Sequence, residues 1–179
     1  MGKSNKYLIP LKTLSEGTHT YEYMLDDAFF AETDSPEISK GAVATLLTLR
    51  RTGNVFELHF TMKGHIGIPC DRCLDEMTLP VDTEETLYVK FGEEYSEEDD
   101  NLIVVPESEG SIDIAWNMFE TIALTIPLKH THADGECNPE MEAILKAHTL
   151  AGTESGENDD KDDDTDPRWN ALKKLKENK

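Results

Sequence analysis

The amino-acid sequence predicts an α+β fold: a mainly antiparallel β-sheet followed by two helices, then an acidic disordered linker and a short C-terminal helix. Apolar and polar residues alternate in the middle of the chain, as on a strand with one buried face. After residue 111, apolar residues recur instead at three- and four-residue steps, as on a helix. The 179 residues suffice for one domain of ordinary size, which we expect at residues 1–150.

Period-two alternation predicts the strands of the sheet. The clearest strand covers residues 56–62, where four apolar side chains share one face. The strand before it has its apolar face at residues 43–49, and Gly53-Asn54 predicts the hairpin turn between the two. Further strands are expected at residues 20–25, 78–91 and 102–105, with a turn-rich patch at 33–40 and an acidic loop at 92–100.

Two helices are predicted after the strands. The first begins at Ser111 and is ended by Pro127, because the apolar residues between them form one stripe. The stripe consists of Ile112, Ala115, Trp116, Phe119, Ile122, Ala123 and Ile126. The second helix begins at Pro139 with Asn138 as its N-cap, and its expected buried face consists of Met141, Ile144 and Leu145.

The C-terminal segment changes composition twice. Residues 151–166 are acidic and lack large apolar side chains, which predicts a disordered linker. Residues 167–179 predict a short basic helix with apolar side chains at three-residue steps. This helix is a candidate partner-binding segment through Arg168, Trp169, Leu172, Lys173, Lys174 and Leu175. Two alternatives stay open: it binds a partner, with local RNA contact through its lysines, or it folds back on its own domain.

Charge and cysteine content exclude several classes of protein. The chain has 37 acidic and 17 basic residues, a formal net charge of −20, so phosphate would be repelled from most of its surface. A broad nucleic-acid-binding face is therefore not expected. No signal peptide and no membrane span is recognisable, which predicts a soluble cytoplasmic protein without a membrane partner. Three cysteines do not predict a disulfide framework.

Four residues have the chemistry of a structural zinc site. Cys70 and Cys73 are separated by two residues, so that both sulfurs of one turn can reach a single ion. His132 and Cys137, in the loop between the predicted helices, offer an imidazole and a thiolate. The sequence thus predicts a Cys/His metal knuckle that joins the sheet to the helices. His130 is the rival fourth ligand, although we expect it to face solvent.

Other interpretations of the cysteines stay open. A thioredoxin-like redox turn needs a helix at the first cysteine, whereas strand-like sequence follows Cys73. A thiol- or metal-dependent enzyme is a second alternative, but four protein ligands would close the metal shell, and no nucleotide or nucleophile motif is present. The third alternative is a protein-binding module unrelated to ribosomes. Such a module could be stabilised by zinc, or Cys137 could simply be a buried core thiol.

Three segments in order resemble the YceD family of large ribosomal RNA subunit accumulation proteins. They are residues 70–75, residues 125–128 with His132 and Cys137, and residues 166–175. The resemblance implies a non-enzymatic ribosome biogenesis factor that supports accumulation of large-subunit ribosomal RNA and has no small-molecule substrate. Its expected partner is a large-subunit precursor or a basic ribosomal protein, because an acidic surface attracts a basic one. The resemblance also favours a cysteine or histidine ligand at the position of His132.

Overall fold

The computed structural model describes residues 5–99 and 101–149 of the chain. The chain divides into two compact units, Met1–Glu142 and Ala143–Lys179. The first unit contains the whole β-sheet, whereas the described part of the second is the C-terminal part of the last helix. The predicted acidic linker at 151–166 and basic helix at 167–179 lie outside the described residues. The domain boundary at residue 150 stays a prediction.

The described residues form strands, three helices and two short 3-10 turns. The strands are β1 (Leu8–Ile9), β2 (Gly17–Leu25), β3 (Lys40–Thr52), β4 (Val55–Pro69), β5 (Glu76–Gly92), β6 (Ser96–Asp99), β7 (Leu102–Pro106) and β8 (Ile112–Asp113). The helices are α1 (Asp27–Glu32), α2 (Ala115–Ala123) and α3 (Pro139–Thr149). The 3-10 turns, Asn5–Tyr7 and Leu11–Thr13, flank β1. No helix in this part of the chain is both long and apolar enough to cross a membrane.

Six strands form one sheet in the order β2-β3-β4-β5-β7-β6. All neighbours are antiparallel except β5 and β7, which are parallel, so the predicted mainly antiparallel sheet is confirmed with one exception. The β3–β4 hairpin pairs Thr52 with Val55 across a two-residue turn. Gly53 has a φ of 61° there, and a positive φ at the first central position explains why glycine precedes asparagine. β1 and β8 pair separately.

One face of the sheet is buried and the other faces water. The predicted alternation is confirmed in β3 and β4, since residues 43–49 and 56–62 have their apolar side chains buried at every second position. Phe29 and Phe30 of α1 and Met118 and Ile122 of α2 belong to the same apolar core. Strands joined by hairpins need no crossover helices, so an antiparallel sheet commonly has one face on the core and one face in water.

Several sequence-based expectations about the helices were wrong. Among the described residues, α1 is a helix that was not predicted from the sequence; it is short and begins where the Asp26 carboxylate accepts the N–H of Phe29. α2 begins at Ala115 rather than Ser111, because Ile112 is held extended by its pairing with Ile9 in β1. It ends at Ala123, before Pro127, in a turn where Thr125 N–H donates to the carbonyl of Ile122.

Burial corrects two further expectations, and strand pairing corrects a third. Trp116 is 61% exposed, although it falls in the predicted apolar stripe of α2. In α3, Met141 is half-buried, but Ile144 and Leu145 are exposed, so the expected buried face is wrong for two of its three residues. Helical spacing shows which side chains share a face, but not whether another element covers that face. The expected acidic loop at 92–100 contains β6, which pairs with β7.

Candidate metal centre

The first half of the centre is the turn between β4 and β5, as predicted. The N–H of Leu74 donates to the carbonyl of Cys70 (2.9 Å), and the N–H of Cys70 donates to the carbonyl of Asp75 (2.8 Å). These bonds close the turn so tightly that Leu74 adopts a φ of 63°, a conformation that non-glycine residues rarely take. Both cysteine side chains are buried. The turn therefore directs two sulfurs inwards at the end of a long hairpin.

The second half is the loop between α2 and α3. Cys137 lies directly before Asn138, whose side-chain oxygen accepts the N–H groups of Glu140 and Met141 at the start of α3. The predicted N-cap is thus confirmed, and it fixes the position of the cysteine relative to the helix. Met141 then packs against the three cysteines, together with Met77 of β5. His132 lies five residues before Cys137 and is half-buried.

The two halves converge on one point. The donor atoms of Cys70, Cys73, His132 and Cys137 all lie within 4.8 Å of one another. The sulfurs of Cys70 and Cys137 are 3.9 Å apart, and His132 Nδ1 lies 3.4 Å from the sulfur of Cys73. Zinc bonds of about 2.3 Å to sulfur and 2.0 Å to nitrogen place tetrahedral ligand atoms about 3.5 to 3.8 Å apart. The spacing of these donors fits such a tetrahedron. We call this set of four residues the metal centre.

Backbone N–H groups stabilise a negative charge on Cys70. Its sulfur accepts from the N–H groups of Arg72 and His132, each at 3.4 Å, and from that of Cys73. Burial raises the pKa of Cys70, but these donors outweigh burial and lower the pKa to about 6. Burial raises the pKa of Cys137 to about 11, and its contacts with Cys70 and Cys73 add to this effect. A bound cation would favour the thiolate at every cysteine.

The imidazole of His132 is oriented by a backbone group. Its Nε2 lies 3.2 Å from the carbonyl oxygen of Glu76 at the start of β5. A carbonyl only accepts, so Nε2 donates and Nδ1 is directed at the sulfurs. The hydrogen bond to Cys73 is the largest cause that raises the pKa of His132. This is the arrangement of a ligand whose second nitrogen is held by an outer partner.

Asp71 and His130 connect the two halves without any metal. The N–H of Asp71 donates to the carbonyl of His130 (2.9 Å), and the N–H of His130 donates to the Asp71 carboxylate (2.8 Å). The His130 ring also lies 3.3 Å from that carboxylate, with its side chain only 18% exposed. The expectation that His130 faces solvent was therefore wrong. We call this pair the Asp71–His130 latch.

The donor set fits a structural metal ion. It consists of three sulfurs and one nitrogen, with no carboxylate among the four, which favours zinc over calcium or magnesium. All three cysteines are free and buried. The 3.9 Å between the sulfurs of Cys70 and Cys137 is far longer than the roughly 2.05 Å of a disulfide. Four protein ligands would leave no open position for a substrate.

The comparison with known proteins places this site in a family. The family model described as large ribosomal RNA subunit accumulation protein YceD matches residues 58–176, well over half of the chain. The chain belongs to the YceD family. The matched segment includes all four residues of the metal centre and both residues of the latch. No curated protein and no solved structure is significantly similar to the chain.

Sequence reasoning missed the residues that support the YceD metal centre from outside. The sequence gives no indication of the Asp71–His130 latch. An aspartate between the cysteines of a Cys-x₂-Cys turn is ordinarily solvent-exposed, so Asp71 is not expected to contact the other half of the centre. A further ion pair joins Arg72 to Glu142 (3.4 Å), and the Asn138 amide donates to Asp75 (3.2 Å). The predicted partner-binding residues Arg168, Trp169, Leu172, Lys173, Lys174 and Leu175 lie outside the described residues.

Proposed function

We propose that the chain is a zinc-stabilised, non-catalytic factor that supports the accumulation and maturation of large-subunit ribosomal RNA. The observation that supports the proposal best is the convergence of four zinc-type donors within 4.8 Å, inside the segment matched by the YceD family. The name of the family refers to accumulation of the large ribosomal RNA subunit, which gives the biological process. The chemistry of the site gives zinc a structural role in it.

Zinc would fix the turn after β4 against the loop before α3. The turn supplies Cys70 and Cys73, and the loop supplies His132 and Cys137. A structural ion supplies folding free energy here rather than bond-breaking chemistry, because its ligands are all protein groups. The Asp71–His130 latch and the carbonyl of Glu76 would hold the ligands in position around the ion.

The partner is a large-subunit precursor or one of its basic ribosomal proteins. The formal net charge of −20 supports a basic protein rather than bare RNA as the direct contact, because phosphate would be repelled over most of the surface. The cytoplasm is the compartment in which we expect this encounter.

Metal analysis of the purified full-length chain tests the zinc site. We expect about one zinc per chain, and its loss in Cys70→Ser. Met77→Leu is the matched control, because Met77 packs against the same cysteines but is not a ligand, and it should retain zinc. Zinc-free wild-type protein, together with wild-type stability of Cys70→Ser, would show that the cysteines are only core residues.

Sedimentation of cell lysates through a density gradient tests the ribosomal role. The wild-type chain should travel with immature large subunits, and cells that lack it should accumulate less mature large-subunit than small-subunit ribosomal RNA. Complementation with Met77→Leu should restore the ratio, whereas Cys70→Ser should not. The ribosomal role would be abandoned if the protein stayed with free proteins at low and high salt and the RNA ratio was unchanged.

The basic segment at residues 167–179 is a second candidate contact. Trp169, Leu172 and Leu175 would supply apolar anchors, while Lys173 and Lys174 would meet phosphates or an acidic surface. Replacing both lysines by glutamine should weaken gradient association and make it less sensitive to salt. Replacement of Lys63 and Lys90, which lie on the sheet, is the matched control, and an equal loss from both pairs would contradict a specific role.

A further inference from the structure

A groove with an apolar floor lies away from the metal centre. It has a volume of about 1060 Å³ and runs between α1, β7 and the first turn of α2. Its floor is formed by core side chains such as Phe29, Ile103 and Val105, which are nearly fully buried. Nothing in the proposed zinc chemistry uses this groove.

Two aromatic side chains border the groove and remain open to water. Trp116 is 61% exposed and Tyr95 is 57% exposed. The tryptophan ring packs against Phe119, at 5.5 Å between ring centroids, so it is supported on one side while most of the side chain is exposed. Exposed tryptophan and tyrosine beside an apolar depression are typical of the residues that dominate binding energy in protein interfaces.

The charge around the groove has a single sign. Glu32, Asp34, Glu109 and Asp113 line it, and no lysine, arginine or histidine is among its described lining residues. Three of the four, Glu32, Asp34 and Glu109, are exposed. Carboxylates at the rim of an apolar depression attract a cationic partner and repel phosphate. The groove thus excludes nucleic acid and favours a basic polypeptide.

We propose that this groove, which we call the acidic groove, binds a lysine- or arginine-rich protein segment that inserts one apolar side chain beside Trp116. The apolar anchor would contact the floor, while its cationic neighbours would pair with Glu32, Asp34 and Glu109. This inference rests on the proposed function and deepens it, because it names the surface and the partner chemistry through which a basic ribosomal protein is bound.

Binding of a synthetic peptide to the full-length chain tests the acidic groove. The probe is a short fluorescein-labelled peptide in which lysines flank a single leucine, and binding is followed by fluorescence anisotropy. Glu32→Gln/Asp34→Asn/Glu109→Gln should weaken binding about tenfold. The matched control Glu22→Gln/Glu57→Gln/Glu84→Gln, on the solvated face of the sheet, removes the same charge and should change binding less than about twofold. Equal losses in the two triple variants would overturn the proposal.

Trp116 provides a second measurement. Trp116→Ala should weaken peptide binding about tenfold or more while keeping the wild-type circular dichroism spectrum. In Trp169→Phe, Trp116 is the sole tryptophan, and its emission should shift to shorter wavelength when the peptide is added. Unchanged affinity in Trp116→Ala, or unchanged emission, would contradict the proposal. Two results without peptide would also contradict it. If the Trp116 emission changes with protein concentration, a second copy of the chain occupies the groove. If the emission changes when residues 167–179 are removed, the chain's own basic segment occupies it.

Gradient sedimentation separates this inference from the proposed function. If the wild-type chain travels with large-subunit precursors and Glu32→Gln/Asp34→Asn/Glu109→Gln does so equally, the acidic groove is wrong and the ribosomal role stands. If the peptide binds as expected but the wild-type chain stays with free proteins, the ribosomal role is wrong and the acidic groove stands. If the wild-type chain travels with large-subunit precursors and the groove variant does not, the acidic groove and the ribosomal role are both supported.

Discussion

The β3–β4–β5 hairpins and the metal centre lie in the same unit but differ in the apolar surface that surrounds them. The hairpins contribute their inner faces to one large core that also contains residues of α1 and α2. The three cysteines form a separate small cluster, against which only Met77 and Met141 pack among the partly buried apolar residues described. Burial of apolar surface stabilises the sheet, whereas the metal centre has little apolar surface around it and is held by specific polar contacts, to which the proposed zinc would add.

Removal of zinc should produce the largest difference between the two regions. Structural zinc contributes about 10 to 16 kcal/mol of apparent binding free energy in small zinc domains. Treatment with a chelator should therefore abolish hydrogen-exchange protection of the amides of Cys70 and Asp71, while the paired amides of β3 and β4 stay protected. Adding zinc back should restore protection. Loss of protection in both regions at the same chelator concentration would show that the sheet also needs the metal.

Phe60→Ala is the converse test, because it damages the sheet without touching the metal centre. Phe60 lies on the buried face of β4, and its removal should lower the free energy of unfolding by about 3 to 5 kcal/mol. Leu46→Ala, on the solvated face of β3, is the control and should cost less than about 1 kcal/mol. Denaturant titration measures both. Zinc content below about one ion per folded Phe60→Ala chain would mean that the two regions are coupled.

Asp71→Ala tests the latch that holds the two halves of the metal centre together. Its carboxylate binds the N–H of His130 at 2.8 Å and lies close to the His130 ring. Loss of such an outer contact typically weakens metal binding about 10- to 100-fold. Competition with a chromogenic chelator measures the zinc affinity. Asp134→Ala is the control, because it removes an exposed carboxylate from the same loop and should leave the zinc affinity unchanged. Equal weakening by both variants would show that the loss of one negative charge, and not of the latch, lowers the affinity.

Leu74→Gly is expected to have the smallest effect, and it should be favourable. Leu74 adopts a φ of 63° while its side chain is 69% exposed, so glycine would relieve backbone strain without loss of burial. Glycine also has more freedom in the unfolded chain, which offsets part of the gain. We expect the zinc-bound protein to be stabilised by about 0.5 kcal/mol or less against thermal unfolding. Destabilisation would show that the exposed leucine makes an important contact.

The sequence predicted the sheet better than the helices, for a physical reason. In β4 the apolar residues from Phe56 to Met62 alternate with polar ones, and in β3 every second residue from Val43 to Leu49 is buried, as on a strand with one buried face. The apolar residues from Ile112 to Ile126 fit a helix equally well, but Ile112 is held in β8 by its pairing with Ile9. Such long-range pairing leaves no local signal. The same holds for the parallel contact of β5 with β7, which joins strands separated by β6.

The four donors of the metal centre were predictable because ligand chemistry and loop position are both local properties. Cys70 and Cys73 have the spacing of a zinc turn, and His132 and Cys137 lie between two predicted helices. Their supporting groups were not predictable. The supporting groups on Glu76 and His130 are backbone atoms, which every residue has, so the sequence does not distinguish them. They are recognised only in the folded chain, where the two halves meet.

The two edges of the sheet differ in their ability to recruit a strand from another molecule. β6 is four residues long, contains Glu97 and Glu98, and shifts register between Glu97 and Asp99. Short length, charge and irregular pairing are the features by which edge strands avoid edge-to-edge aggregation. β2, at the opposite edge, is nine residues long and pairs with β3 without a shift. Intermolecular β-pairing in concentrated solution should therefore begin at β2, and an additional lysine there should suppress it.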